Sequence, residues 1–256
     1  MISTEQVKEL RDKTGISVMQ CKKALEEAGG DMEKALLILK KKSTEIAAKK
    51  ADRALGAGTI VSAIGEGKGV ILALGCETDF VAKNADFVAV AQTLANMTLE
   101  KGIESAKEAS AELTSGAVQK LGEHVMLGEV AVVEAPVIGS YVHDGRVASI
   151  VGLTGGTVEL AKDVAMHLSA MNPEYITRDE IPTDAKNATR GMFEEEVKNS
   201  GKPADIQEKM LAGKLDTFFK ERTLLDQPFI KNPDITIGAL LKNGNATIVK
   251  VARLAV

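Results

Sequence analysis

At 256 residues the chain has the length for one large domain or two to three small ones, with ample apolar material for a core. Hydrophobic residues at 45% and charged residues at 27% match a soluble globular protein, and a net charge of −4 excludes nucleic-acid binding by bulk electrostatics. Two distant cysteines, Cys21 and Cys76, exclude a disulfide framework and match no zinc spacing, while no basic-then-apolar leader and no apolar run near ~18 residues is present, so a cytoplasmic protein without a membrane span is expected.

The first forty residues predict a compact three-helix module. Ser3 with Gln6, and Ser17 with Gln20, fit capping boxes, and Asp31 can cap a third helix after Gly29-Gly30. Val18, Cys21, Leu25 and Ala28 share one face of the second helix, and Met32, Ala35, Leu36 and Leu39 serve the third. Met19 points away from that stripe, beside Lys22 and Lys23. A solitary exposed Met is common; the functional alternative is an adaptable apolar contact flanked by lysines. The segment from Lys40 to Arg53 carries six Lys or Arg against two acids, and is expected as a solvated helix and linker.

From Gly58 the period changes to that of strands. "GTIVSAI" and "GVILAL" flank the glycine-rich "GEGKG" and predict a hairpin, without the spacing of a phosphate loop. A helix over Ala85 to Leu99 is expected to bury Phe87, Val90, Leu94 and Met97, and another is expected over Ala106 to Leu121. "GSYVHDGRVASIVGL" repeats the hairpin with Asp144-Gly145 as its turn, and a helix follows that stops at Asn172-Pro173. Two related α+β subdomains with antiparallel sheets covered by helices follow from this repetition. Asp184 to Ser200 and Pro203 to Arg222 predict an antiparallel helical hairpin, and "NATIVKVARLAV" a last strand in the second sheet. The divisions expected are residues 1–54, 55–138 and 139–256, with the hairpin inserted at about 182–226.

No catalytic or metal-binding set emerges. His167 lies in a helix and His143 beside a turn, and no motif places a His near either cysteine. Phe80 is ambiguous. It is seven residues from Phe87, so one unbroken helix would bury both, whereas a cap at Asn84 would break the helix and turn Phe80 outward.

"VKELRDKTGISVMQCKKALEEAGGDMEKAL", "AAKKADR" and "GCETDFVAKNADF", followed in order by "GSYVHDGRV", "AMHLSA", "SGKP", "EKM" and "QPFI", resemble the elongation factor Ts family over essentially the whole chain. The resemblance implies an α+β fold. Its parts are a ubiquitin-associated-like three-helix domain, a core of two related subdomains and a coiled-coil insertion. It implies a guanine-nucleotide exchange factor for elongation factor Tu, not an enzyme, with no cofactor, nucleic acid or membrane, acting as a heterodimer or a higher-order assembly. The Asp–Phe pair of the family wedges into the partner near its magnesium site, a role that maps onto Asp79 and Phe80, flanked by Thr78 and Val81. Contacts of the N-terminal module map onto Arg11, Val18, Met19 and Lys22, that of the linker onto Lys50, and those of the core onto Leu121 and His143. Many members carry Met-Met where this chain has Val18-Met19, and extend past the final strand, so contacts made there are expected to be altered or replaced. The rival expectations are a ubiquitin-like or RNA adaptor built on the N-terminal module, and a hydrolase using Cys76 or His143.

Overall fold

In the computed structural model, which describes residues 2–256, side-chain caps open most of the helices. Ser3 and Gln6 form the full reciprocal box ahead of α1 (Thr4–Thr14), which Gly15 closes in the left-handed region at φ 66°. Ahead of α2 (Val18–Glu27) only half of the expected box forms. Ser17 Oγ accepts from Gln20 N, but its hydroxyl then donates to Gln20 Oε1, which is thereby kept from the backbone. Asp31 caps α3 (Met32–Lys50). Leu10, Ile16, Cys21, Leu25, Ala35 and Leu39 form the core of these three helices. Val18 and Leu36 lie outside it, contrary to the predicted stripes. Val18 is the first residue of α2, and its side chain leans N-terminally, past the end of the packed face.

β1 (Ala57–Gly65) and β2 (Lys68–Cys76) pair antiparallel from Ala57↔Cys76 to Gly65↔Lys68, with Glu66-Gly67 as the turn. The one-turn helix α4 (Asp79–Ala82) and then α5 (Ala85–Lys101) follow and pack on this hairpin, and α6 (Ile103–Leu121) packs on α5 and α3. Phe87, Ala91, Leu94 and Ala95 fill the interior, while Val90 and Met97 are only partly buried. A strand that the sequence reading did not anticipate, β3 (Val125–Glu134), completes a sheet of order β1-β2-β3. The basic segment is helix through Lys50 and is not a free linker: Ser43 is buried with its hydroxyl bonded to Gln119 of α6, and Ile46 and Ala47 pack on the core.

β4 (Val137–His143) and β5 (Val147–Thr154) turn at Asp144-Gly145, where φ is 51° and 69°, the left-handed pair this two-residue turn requires. α7 (Val158–Met171) crosses β4 at Gly139, where a Cβ would run into the backbone of Ala161 and Lys162. α7 stops at Asn172-Pro173 as expected, with Asn172 in the left-handed region at φ 44°. α8 (Thr183–Lys198) and α9 (Ala204–Arg222) pack on each other through Phe193 and Phe218, edge to face at 5.6 Å; Pro203 precedes α9 as its cap residue. The strands β6 (Pro228–Phe229) and β7 (Asn232–Thr236), with α10 (Ile237–Asn243), were not expected from the sequence. β8 (Thr247–Ala255) joins a sheet of order β4-β5-β8.

The fold is α+β. It divides into two compact units: one ends at Val133 and also takes in Val142–Ala148 and Leu254–Val256, and the other comprises Glu134–Tyr141 and Ser149–Arg253. Among the described residues no helix is long and apolar enough to cross a membrane.

Candidate partner-binding site

The junction between β2 and α5 is built by capping. Thr78, in extended backbone, turns its hydroxyl oxygen toward Val81 N and opens α4, and Asn84 Oδ1 accepts from Asp86 N at 2.9 Å and opens α5. The chain therefore does not run as one helix from Phe80 to Phe87. α4 is anchored from within: Ala82 is buried and Val81 packs on the β1–β2 core. At about 100° per residue, Phe80 faces roughly opposite to Ala82. It is 85% exposed, whereas Phe87 is fully buried. Asp79 is exposed beside it, 3.7 Å from the Lys83 ammonium.

The root of α4 is fixed by a carboxylate reaching across from the turn between α6 and β3, answered by one of its own. Glu123 accepts from the backbone N–H of Glu77 at 3.1 Å and of Thr78 at 2.9 Å, and from the Thr78 hydroxyl at 2.6 Å. In return, Glu77 accepts from His124 N at 2.6 Å and from the Arg53 guanidinium at 3.1 Å. These bonds, the His124 amide foremost, hold the Glu77 carboxyl below its ordinary range. Lys50 donates its ammonium to the Gly122 carbonyl. His124 is buried, with Nδ1 bonded to Arg53 O at 2.9 Å.

Of the residues singled out in the sequence, Thr78, Asp79, Phe80 and Val81 share this one turn, and Lys50 reaches the Gly122 carbonyl, next in sequence to the half-buried Leu121. Arg11, Met19 and Lys22 are exposed on α1 and α2. Met19 is 67% exposed and Val18 53%, so both stand free of the module's core. His143 is exposed at the end of β4, its imidazole 3.8 Å from the Asp144 carboxylate. A cleft of about 380 Å³ beside α4 is lined by Thr78, Asp79 and Lys83 and by Asp144 and Arg146 of the next turn. Sequence reasoning missed Glu77, Glu123 and His124. The only signal for them was an acid before a helix cap and a Gly-Glu pair after a helix.

Cys76 is not equipped for nucleophilic chemistry. The Cys76 thiol is buried and donates to Thr78 O, and burial together with the Glu123 charge pushes it up to about 11, so it stays protonated near neutrality. His167 is buried in α7, its Nε2 bonded to Gln227 and its Nδ1 accepting from Ile230 N. Among the described residues no group of three or more His, Cys, Asp or Glu side chains is placed to hold a metal ion.

A family model described as Elongation factor TS matches residues 77–256. The chain is 41% identical over 263 residues to Elongation factor Ts of Alcanivorax borkumensis, with 98% of this chain and 92% of that protein covered. It is 39% identical to the protein of the same name from Saccharophagus degradans, covering 100% and 91%. With that of Acidithiobacillus ferrooxidans it shares 42% identity, covering 94% and 87%.

Proposed function

Since this chain belongs to the elongation factor Ts family of translation elongation factors, we propose that it is the guanine-nucleotide exchange factor of elongation factor Tu. It docks on the GDP-bound partner in a heterodimer in the cytoplasm, without nucleic acid or membrane, and loosens the magnesium and phosphate end of the nucleotide site. A GTPase holds its nucleotide through phosphate-loop amides and a magnesium ion, so a small displacement there releases much binding energy. Phe80 supplies the displacement, and Asp79 places a carboxylate that disfavours the metal-bound arrangement. Thr78 and Val81 fix the turn that carries them. By linkage, a factor that weakens GDP binding is itself weakened by GDP to the same extent, and GTP rebinding then expels it without covalent chemistry.

The single observation that carries this reading is an aromatic side chain 85% exposed on a short helical turn that Ala82 and Val81 anchor to the core. A single exposed apolar side chain is common on a folded surface; what supports the reading is that this one sits at the position of the family's Asp–Phe pair, on a turn set off by the Thr78 and Asn84 caps. In the same reading, Arg11, Val18, Met19 and Lys22 form a first docking surface on a ubiquitin-associated-like domain, residues 1–54. His143 contributes from the third segment, residues 139–256, and α8–α9 is the coiled-coil insertion. Lys50 and Leu121 act from beneath, since the Lys50 ammonium is engaged by Gly122 and Leu121 packs against the core of residues 55–138. The test is release of labelled GDP from elongation factor Tu. Substoichiometric amounts of this protein are expected to accelerate release in the presence of excess GTP, and an unchanged rate rejects the proposal.

A further inference from the structure

The exposed end of α4 has too little of its own to hold it in place. A helix of four residues closes very few internal bonds, here Ala82 N to Thr78 O at 3.1 Å and Lys83 N to Asp79 O at 3.3 Å. Helical turns of this length are not stable alone, because nucleation fixes several dihedrals for each bond gained. β2 ends at Cys76, so the N–H groups of Glu77 and Thr78 lie between strand and helix, beyond the ladder that pairs β1 with β2. One side chain, Glu123, takes both of them and the Thr78 hydroxyl as well, with all three donors within 3.1 Å. Bonds to a carboxylate are about twice as strong as neutral ones. Glu123 itself sits on a turn that cannot drift. Gly122 ends α6 in the left-handed region at φ 79°, its carbonyl is held by Lys50, and the amide on the far side of Glu123, His124 N, is held by Glu77. The two segments are thus clasped from both sides, Glu123 taking the Glu77 amide and Glu77 taking the His124 amide.

We infer that Glu123 is a positioning residue for exchange: it touches neither nucleotide nor partner, and sets the direction in which Asp79 and Phe80 leave the surface. This rests on the reading of Phe80 as the exchange wedge. A side chain that must enter a partner at one angle is sensitive to its root, and misplacement by about 1 Å can cost roughly 100-fold in a positioned step. Glu123→Ala leaves two backbone donors without their acceptor and lets α4 tilt. Glu123→Gln keeps an oxygen for the two amides and offers an NH2 to Thr78 Oγ1, so it retains the geometry without the charge.

The experiment measures labelled-GDP release from elongation factor Tu at saturating factor for Glu123→Ala, Glu123→Gln, Phe80→Ala and the Phe80→Ala/Glu123→Ala pair, with thermal midpoints for each. Glu123→Ala is expected to slow maximal release about tenfold or more, with affinity for nucleotide-free partner changed far less. Glu123→Gln is expected to release GDP near the wild-type rate. The double variant is expected to be no slower than Phe80→Ala, because Glu123 acts only through the wedge. Should Glu123→Ala fail to fold, Glu123→Asp, too short to span both amides and the hydroxyl, is expected to give the same loss of maximal release. A folded Glu123→Ala or Glu123→Asp that releases GDP normally, while Phe80→Ala does not, overturns the positioning role alone. Losses that add in the double variant, or a Glu123→Gln as slow as Glu123→Ala, overturn it too. Normal release by Phe80→Ala overturns the wedge and this inference together.

Discussion

Helix α4 and the α8–α9 hairpin both present apolar side chains to solvent, and they are held in opposite ways. α4 has four residues, two of them directed into a core, and a root bound through Glu123 and Glu77. The hairpin has helices of 16 and 19 residues, of which Val197 alone is fully buried among the described residues, and its seam is its own: Phe193 against Phe218, and Lys214 paired with Glu196 at 2.9 Å. Its exposed Met192 and Ile206 have neighbours along the same helices to share their environment, whereas Phe80 stands on a single turn. A short element gripped from below fixes a direction; a long self-packed element gives reach without a fixed point. In the proposed reading, the first suits insertion at one angle and the second tolerates change.

The largest effect that sharpens this contrast separates the two phenylalanines of the β2–α5 junction. Phe87→Ala empties a core position and should cost about 3–5 kcal/mol. Phe80→Ala should stay within about 0.5 kcal/mol of wild type, as exposed substitutions do. Chemical denaturation of both variants checks this, and equal costs would return Phe80 to the core.

Next in size is the hairpin. Removing residues 186–219 and joining the ends leaves in place the Glu221 carbonyl that accepts from Gln227 and the Arg222 carbonyl that accepts from Glu174 and Tyr175. It removes the Arg178–Asp216 pair and the Phe218 ring under Arg222. The expected cost is about 1–2 kcal/mol with a single cooperative transition and residual exchange activity. A molten product would show that the hairpin is part of the core.

Met19→Ala with Lys22→Ala should weaken the complex by about 1 kcal/mol while leaving the melting temperature unchanged, since neither side chain belongs to the module's core. Titration calorimetry and a thermal melt decide it. Lower stability with unchanged affinity would reverse the assignment of that face.

The smallest effect compares the two roots by pH. His167, next to the hairpin's base, accepts from Ile230 N at Nδ1, and burial lowers its pKa from the ordinary 6.5. A lowered folded value means that the unfolded chain binds the proton more readily. Its contribution is therefore complete above about 6.5 and is lost as pH falls through the folded value. Glu77, at the root of α4, is also lowered, from 4.5, and keeps its contribution until pH falls through its own, more acidic, folded value. Amide exchange measured from pH 7 to 5 should loosen Ile230 and leave His124 N protected; the reverse order would contradict both assignments.

Much of the fold was legible because its signals are local. Caps at Ser3, Ser17, Asp31 and Asn84 and the Asp144-Gly145 turn act within four residues of themselves, so the sequence displays them directly. β3 was not legible, because its burial does not alternate and its partner lies fifty residues back. Val18 misled because helical period gives a face but not the point at which the packed face ends. Phe80 lay in between: the Asn84 cap offered the break, yet nothing local distinguished a used cap from an unused one. Glu77 and Glu123 were invisible for a simpler reason. They bond to backbone, and backbone donors leave no trace in a pattern of side chains.

The central claim, that Phe80 is a wedge and not a core residue or a mere contact, is tested most directly by GDP release from elongation factor Tu at saturating Phe80→Ala, alongside its thermal midpoint. The account predicts a normal midpoint, nearly intact docking through Met19 and Lys22, and release slowed by about tenfold or more. A variant that drives release at the wild-type rate once the partner is fully occupied would contradict it.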